Sequence, residues 1–225
     1  TRDMNGPEVY AVIFSLAPSK RTTNVIWAGS DDGVISVTKD GGKTWSNVTP
    51  KDMPEFGRVS QIDASAFDSA TAYVAVKRFL LEDKAPYVFK THDFGKTWTK
   101  ITNGIGAEDF VHVVREDQTR KGLLYAGTQH VVYVSYDDGD RWESLNLNMA
   151  DIPVWDLIVT EKDLAISTHG RGFWILDNIE PLRQYTPAMA ASSDPVLLKP
   201  APAYRSGGPA VIQYPVEVID QHAGE

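Results

Sequence analysis

The same eight-residue pattern occurs three times in this chain, and it constrains the fold more than any other feature. The copies are TKDGGKTW at 38–45, THDFGKTW at 91–98 and SYDDGDRW at 135–142. Their aspartates, Asp40, Asp93 and Asp137, are spaced 53 and 44 residues apart. A catalytic site is rarely needed in triplicate, whereas a turn recurs in every structural repeat. The spacing therefore indicates one structural unit per copy.

Apolar, β-rich runs accompany each copy in the same order: two precede the pattern, one lies within its first residues and a short one follows it. In the third unit the runs are VHVVRE (111–116), LLYAGT (123–128), VVYVSYDD (131–138) and RWESLN (141–146). A fourth unit repeats the first three runs, but its eight-residue pattern has decayed to LDNIEPL. Four short strands per unit predict an all-β fold, a β-propeller of four-stranded antiparallel blades. We place the blades at about 9–49, 57–102, 108–147 and 152–187, and we find no convincing helix.

Each shared residue of the pattern has a structural interpretation in a hairpin between the third and fourth strands. The aspartates Asp40, Asp93 and Asp137 can accept backbone N–H bonds across the turn. A glycine, at Gly42, Gly95 and Gly139, permits positive φ. A tryptophan, at Trp45, Trp98 and Trp142, can pack beneath the hairpin and between blades. One aspartate per turn is a poor calcium cage, so we favour this structural role over a metal or catalytic one.

The repeated pattern resembles the Asp-box, or bacterial neuraminidase repeat. The stretches VIWAGSDDGVISVTKDGGKTWSNVTP and STHGRGFWILDNIEPLRQYTP are similar to large secreted bacterial sortilin-like or glycosyl-hydrolase-like repeat proteins. The resemblance implies a larger propeller, of which four blades are a part, in an extracellular or periplasmic protein. We expect the chain to be a piece of a longer one. Residues 188–225, rich in Pro and Ala, are expected to form an extended segment that leads to a further domain.

Composition excludes several classes of function. The net charge is -8 and the pI is near 5.1, with no basic stripe to neutralise the phosphates of a nucleic acid. The apolar runs are too short to cross a bilayer as helices. There is no cysteine, hence no disulfide or thiolate chemistry. The five histidines lack the spacing of metal ligands, so we predict neither a metal nor a cofactor.

Ligands of propellers usually meet the loops opposite the repeated hairpins, and ten polar residues lie on those loops. These candidates are Asp31, Asp32, Arg58, Arg78, Glu108, Asp109, His130, Asp151, His169 and Arg171. Arg171 is the strongest, because Gly170 and Gly172 bracket it in an exposed loop. The alternative is that Arg171 and His169 only tie this loop to a neighbouring blade.

Aligning the first strands of the four units gives two further expectations. One row holds Leu16, Ile62, Val114 and Leu157, predicted to lie in the core, and another holds Phe14, Ser60, His112 and Trp155. Asp63 and Arg115 fall at equivalent places in adjacent units, which predicts an ion pair between blades.

Two functions remain open from the sequence alone. The favoured one is a binding scaffold for a protein, peptide or glycan, completed by missing blades of a parent chain or by another subunit. The alternative is part of a glycoside hydrolase of the sialidase or xyloglucanase type. That reaction needs two carboxylates across one sugar cleft, and no spacing in the chain pairs two of them. No catalytic residue is assigned.

Overall fold

The computed structural model describes residues 10–200, which form four antiparallel sheets in chain order. The first sheet comprises β1 (Ile13–Pro18), β2 (Ile26–Ser30), β3 (Ile35–Thr38) and β4 (Ser46–Asn47). The second comprises β5 (Arg58–Ala64), β6 (Ala72–Arg78), β7 (Asp83–Thr91) and β8 (Thr99–Lys100). The third comprises β9 (Val111–Glu116), β10 (Leu124–Thr128), β11 (Val132–Ser135) and β12 (Glu143–Ser144). The fourth has three strands, β13 (Val154–Val159), β14 (Leu164–Thr168) and β15 (Phe173–Leu176).

In each sheet the strands are adjacent in sequence order, as in the blades of a β-propeller, so the predicted fold class is confirmed. The sheets do not close into a ring within the described residues. The first strand of every sheet carries a β-bulge at the same place, at Phe14, Ser60, His112 and Trp155. A bulge re-aims its side chain, which sets this row apart from the core.

The hydrophobic core lies between neighbouring sheets. Val59 of β5 packs with Trp27 of β2, whereas Val154 of β13 packs with Tyr125 of β10. The core row predicted from the sequence is confirmed for three of its members, but Leu16 is 62% exposed. Its counterpart Ile62 is buried against the sheet that precedes it in the chain. Leu16 belongs to the first sheet and has no preceding sheet among the described residues.

The predicted hairpin geometry is present in all three repeats. Asp40 Oδ1 accepts the Thr44 N–H at 2.9 Å, and Asp93 Oδ1 accepts the Thr97 N–H at 2.9 Å. In the third repeat, Asp137 Oδ1 accepts the Arg141 N–H at 2.9 Å. These bonds hold the pKa of the first two aspartates at about 2, chiefly through the Thr44 and Thr97 hydroxyls. Asp40 and Asp93 therefore stay ionised as turn acceptors.

The tryptophans of the repeats join neighbouring sheets. Trp98 Nε1 donates to the Val48 carbonyl at 2.6 Å, and Trp142 Nε1 donates to the Ile101 carbonyl at 2.9 Å. Each acceptor belongs to the segment after the repeat of the preceding unit. Trp45 has no preceding sheet in the described chain and is 45% exposed.

Polar contacts also link first strands of adjacent sheets. The predicted ion pair between Asp63 and Arg115 is confirmed, with Nη1 of the arginine 3.6 Å from Oδ1. The buried Asp63 carboxylate also accepts the Glu116 N–H at 2.9 Å. Arg115 in turn donates through Nη2 to Asp156 Oδ1 at 2.9 Å. An ion pair and a hydrogen bond to the backbone therefore link the second sheet to the third, and an ion pair links the third sheet to the fourth.

The expectation of no helix is wrong. A 3-10 turn spans Phe79–Leu81, α1 spans Glu180–Gln184 and α2 spans Pro187–Ala191. Helix α1 follows β15, where the other units have a fourth strand. The segment predicted to be extended from residue 188 begins inside α2, and its part beyond residue 200 lies outside the described residues. The assignment of that segment to a link toward a further domain stays a prediction.

Candidate binding site

One end of each sheet, called the mouth below, is the end at which the first strand begins and the second strand finishes. The register pairs Val111 with Thr128 in the third sheet and Val154 with Thr168 in the fourth. The eight-residue repeats connect the third strand to the fourth and therefore lie at the opposite rim. Loops from three adjacent sheets converge at the mouth.

Five side-chain rings at the mouth contact one another in a continuous file. These five rings and Lys77 are together called the mouth cluster below. Phe79 stacks on Phe110 with centroids 5.0 Å apart, and Phe110 lies 5.0 Å from His112. The file continues with His112 stacked on Trp155 at 5.2 Å, and Trp155 meets His169 edge to face at 5.5 Å. The file crosses from the second sheet to the third and the fourth, so a ligand lying along it would contact three units.

A cation lies against the centre of this file. Lys77 Nζ is 5.1 Å from the centroid of Trp155 and 5.6 Å from that of Phe79, within the range of cation–π attraction. It donates to His112 Nδ1 at 3.3 Å, which leaves the proton of the neutral ring on Nε2, facing Gln129 Oε1 at 3.2 Å. Burial, with the neighbouring Lys77 charge, lowers the pKa of His112 to about 4. His112 is therefore a neutral hydrogen-bonding group at neutral pH.

The local backbone explains why these side chains meet. His112 and Trp155 occupy the β-bulges of β9 and β13, which turn their rings out of the cores between sheets. Phe79 begins the 3-10 turn of the β6–β7 connection, where Glu82 ends the turn at φ 63°. Trp155 remains 50% exposed, so part of its ring is available to a ligand.

The structure gives the carboxylates of Asp31 and Asp32 hydrogen-bond partners within the protein. Asp31 is 7% exposed, and its Oδ1 accepts the Ala11 and Val12 N–H groups at 3.0 Å each. Asp32 accepts a short hydrogen bond from the Ser30 hydroxyl. Asp31 thus ties the β2–β3 connection to the segment before β1, and Asp32 bonds within that connection, while a role in ligand binding stays a prediction.

The candidate arginines differ in their surroundings. The Arg58 guanidinium carbon lies 4.9 Å from the ring centroid of the half-exposed Phe14, a second cation–aromatic contact at the mouth. Arg78 Nη1 donates to Asp83 Oδ2 at 2.8 Å and braces the β6–β7 connection. Arg171 is exposed on the β14–β15 connection, as expected from its flanking glycines.

Of the remaining candidates, Glu108 and Asp109 lie in one loop, and His130 and Asp151 contact each other. Glu108 is exposed, whereas Asp109 is 6% exposed and its Oδ1 has no hydrogen-bond partner among the described residues. The structure brings His130 and Asp151 together, with Nδ1 2.9 Å from Oδ1. Of the ten candidates, only His169 belongs to the mouth cluster.

Sequence reasoning missed Lys77, Phe110 and Gln129 as site residues. His112 and Trp155 were placed in one row, but their contact across two sheets was not foreseen. The available signal was the alignment of the first strands, which puts His112 and Trp155 in the same row. Predicting that the two rings point toward the mouth would have required knowledge of the β-bulges in β9 and β13.

A second concavity lies at the opposite rim. It has a volume of about 410 Å³ and is lined by Asp68, His92, Lys121, Gly122, Tyr136, Asp137 and Asp138. His92 Nε2 and Lys90 Nζ both contact Asp138 Oδ2, at 3.0 and 2.9 Å. These polar groups already bind one another across the joint of the second and third sheets, so the concavity is a weaker candidate than the mouth.

Within residues 10–200, no group of three or more metal-ligating side chains converges on one point. No helix in this part of the chain is long and apolar enough to cross a membrane.

The sequence of this chain matches a known protein family. Residues 33–168 match the Sortilin-Vps10 family, described as sortilin, neurotensin receptor 3. No curated protein sequence matches.

Several solved structures share the fold at low sequence identity. YCF48 bound to D1 peptide is 16% identical with a TM-score of 0.57, over 74% of this chain and 52% of that chain. The GH74 enzyme of Niastella koreensis is 15% identical with a TM-score of 0.55, over 73% of this chain and 22% of that chain. The computationally designed Ika4 protein is 12% identical with a TM-score of 0.51, over 76% and 94% of the two chains. The chain thus spans about half the length of YCF48 and about a fifth of the GH74 enzyme.

Proposed function

This chain belongs to the Sortilin-Vps10 family, and we propose that its propeller is a binding module that takes a peptide or a protein segment at the mouth. The module acts within a secreted or periplasmic protein, and its three hairpin repeats are Asp-boxes with a structural role. Further blades, from a parent chain or another subunit, complete the ring.

The observation that carries this proposal is the mouth cluster. Its half-exposed Trp155 rests on the buried His112 and Lys77, which are fixed by contacts from two other sheets. Rigid aromatic rings backed by a cation are typical anchors of protein interfaces. They supply apolar area with little loss of conformational entropy on binding.

A peptide is the first ligand class to test for two reasons. Apolar and aromatic side chains of a peptide can stack on Trp155 and Phe14, while its carbonyl and carboxylate groups can meet the Arg58 and Arg171 cations. In addition, one protein of similar fold, YCF48, is bound to a peptide.

The experiment is selection from a phage-displayed random peptide library, followed by calorimetric titration of a selected peptide. Trp155→Ala is expected to weaken binding by about 2 kcal/mol, roughly thirtyfold, since it removes a central aromatic anchor. Trp155→Phe keeps a ring and should restore much of the affinity.

Trp45→Ala is the matched control, because Trp45 is exposed to a similar extent, 45% against 50%, but lies at the opposite rim. Equal losses for Trp155→Ala and Trp45→Ala would contradict binding at the mouth.

A glycoside hydrolase is the second candidate, favoured by the Trp155 platform and by the GH74 enzymes among proteins of similar fold. Three carboxylates near the mouth have other partners: Asp31 binds backbone N–H groups, Asp83 binds Arg78 and Asp151 binds His130. Asp109 Oδ1 has no hydrogen-bond partner among the described residues, but no second unpartnered carboxylate is paired with it across a cleft. Incubation with xyloglucan oligosaccharides and analysis of reducing ends separates the two functions. Release of sugar that Trp155→Ala abolishes would favour the hydrolase.

A further inference from the structure

Lys77 places a positive charge behind the exposed ring of the mouth cluster. Trp155 is 50% exposed, whereas Lys77 and His112 are 6% and 5% exposed. Lys77 Nζ lies 5.1 Å from the centroid of Trp155 and contacts Nδ1 of the His112 ring that stacks on Trp155. Because Lys77 and His112 are buried and contact each other, the exposed part of the indole faces away from both.

The fold itself does not require a lysine at this position. By register, Lys77 of the second sheet corresponds to Gln129 of the third and His169 of the fourth. The first sheet has Asp31 at the same place. The repeat therefore accepts several polar side chains at the mouth end of the second strand, and the cation next to Trp155 needs another explanation than the fold.

The charge of Lys77 changes what the exposed face of Trp155 can bind. The face of an indole attracts Lys and Arg side chains more strongly than the faces of the other aromatic residues do. An ammonium bound on the outer face would, however, lie roughly 9 Å from Lys77 Nζ, with the indole between the two cations. At that separation the repulsion between two like charges weakens binding by about tenfold in a protein-like dielectric.

An uncharged aromatic ring meets no such repulsion. Aromatic rings pack on one another in stacked or edge-to-face arrangements, and these contacts contribute more than the area they bury. The file of rings from Phe79 to His169 already uses both arrangements. A ring of the ligand that packs on the exposed face of Trp155 would extend this file.

We infer that Lys77 determines the specificity of the mouth, so that the exposed face of Trp155 takes an uncharged aromatic side chain of the ligand and rejects lysine and arginine. This inference rests on the peptide-binding function proposed above and names the side chain that such a peptide must present. Lys77 acts through Trp155 and does not itself touch the ligand, which makes it a positioning residue for specificity.

The test compares two forms of one selected peptide, with Phe or Lys at the residue that contacts Trp155. This residue is identified as the one whose replacement by Ala no longer weakens binding in the Trp155→Ala protein. In calorimetric titration, the wild type should prefer the Phe form. Lys77→Gln should bind the Lys form about tenfold more tightly than the wild type does, with the affinity for the Phe form changed by less than about threefold.

Three further variants make this comparison specific. Lys77→Met is also neutral and should act as Lys77→Gln does, whereas Lys77→Arg keeps the cation and should retain the wild-type preference. Lys100→Gln is the matched control, since Lys100 Nζ lies 4.5 Å from the ring centroid of Tyr87, outside the mouth cluster. It removes the same net charge and should leave the preference intact. An equal loss of preference in Lys100→Gln and Lys77→Gln would overturn the inference, because net charge alone would then explain it.

Small probes test the same face without a peptide. The ¹H–¹⁵N signal of the Trp155 indole is followed during titration with p-cresol and with n-butylammonium, which represent the side chains of tyrosine and lysine. In the wild type only p-cresol should shift the signal, whereas n-butylammonium should also shift it in Lys77→Gln. Equal responses of the wild type to both probes would overturn the inference. If the probes behave as expected but no selected peptide depends on Trp155, the proposed peptide-binding function fails and the specificity of the face stands.

Discussion

The glycines of the three hairpin repeats provide a sharp test of how the sheets pack. Gly42, Gly95 and Gly139 all have positive φ, at 94°, 77° and 86°. A Cβ on Gly139 would lie 2.4 Å from Ile101 Cδ1, and a Cβ on Gly95 would lie 2.6 Å from Val48 Cβ. A Cβ on Gly42 would meet nothing within 4 Å. The three positions thus share one backbone requirement but differ in packing.

Alanine substitution separates these two contributions. The left-handed backbone costs an alanine about 1 kcal/mol at each position. The clash with the preceding unit adds about 1–3 kcal/mol of overpacking, at Gly95 and Gly139 only. We therefore expect Gly42→Ala to lower the free energy of unfolding by about 1 kcal/mol and Gly139→Ala by about 3 kcal/mol.

Urea unfolding followed by circular dichroism measures these differences. Gly95→Ala should cost at least as much as Gly139→Ala, because Val48 Cβ cannot rotate away, whereas the nearest atom at Gly139 is the end of the Ile101 side chain. Equal costs for Gly42→Ala and Gly139→Ala would refute the packing of each repeat on the unit before it.

Three further changes have expected outcomes that the same unfolding assay checks. Trp142→Phe should lower the free energy of unfolding by about 2 kcal/mol, because the buried side chain loses volume and its Nε1 hydrogen bond. The exposed Trp45→Phe should lower it by under about 0.5 kcal/mol, and similar costs for the two variants would contradict the packing of Trp142 between sheets. Asp63→Ala should cost about 3 kcal/mol, because it leaves the Glu116 N–H without its acceptor and removes one of the two carboxylate partners of Arg115, and a loss below about 1 kcal/mol would count against it. Because burial lowers the pKa of His112 from 6.5 to about 4, the unfolded chain binds a proton that the folded one does not. Stability should therefore fall by up to about 3 kcal/mol as pH drops through that interval, and an unchanged pH slope in His112→Gln would argue against it.

The repeat made most of the fold predictable. Asp40, Asp93 and Asp137 reported local turn chemistry, which depends on neighbouring residues and can be read from the sequence. Leu16 shows the limit. Its exposure depends on whether another sheet precedes the first, and a strand pattern assigns a side chain to a face without saying what covers that face.

The helices were not predicted because α1 stands where the other units have a fourth strand. The stretch after β15 was interpreted as a decayed repeat, yet Pro181 near the start of α1 and Arg183 in its last turn are ordinary helix signals. In α2, Thr186 followed by Pro187 is another such signal. The periodicity of the earlier units outweighed these local cues.

The candidate site was predictable in location but not in composition. Polar loop residues were chosen because they lie at the mouth, and His169 does contribute to the mouth cluster. Lys77, Phe110 and His112 are buried or lie within strands, so a search for exposed polar residues passes over them. Their contacts join three sheets and follow from β-bulges, a feature that single-sequence patterns do not reveal.

The central claim is that ligand binds at the mouth and that the hairpin repeats are structural. The most direct measurement is a ¹H–¹⁵N spectrum of the six tryptophan indoles during titration with a selected peptide, with Trp155→Phe used to assign its signal. We expect a large, saturable shift of the Trp155 indole and small changes at Trp45, Trp98 and Trp142. Shifts at those three tryptophans with none at Trp155 would contradict it.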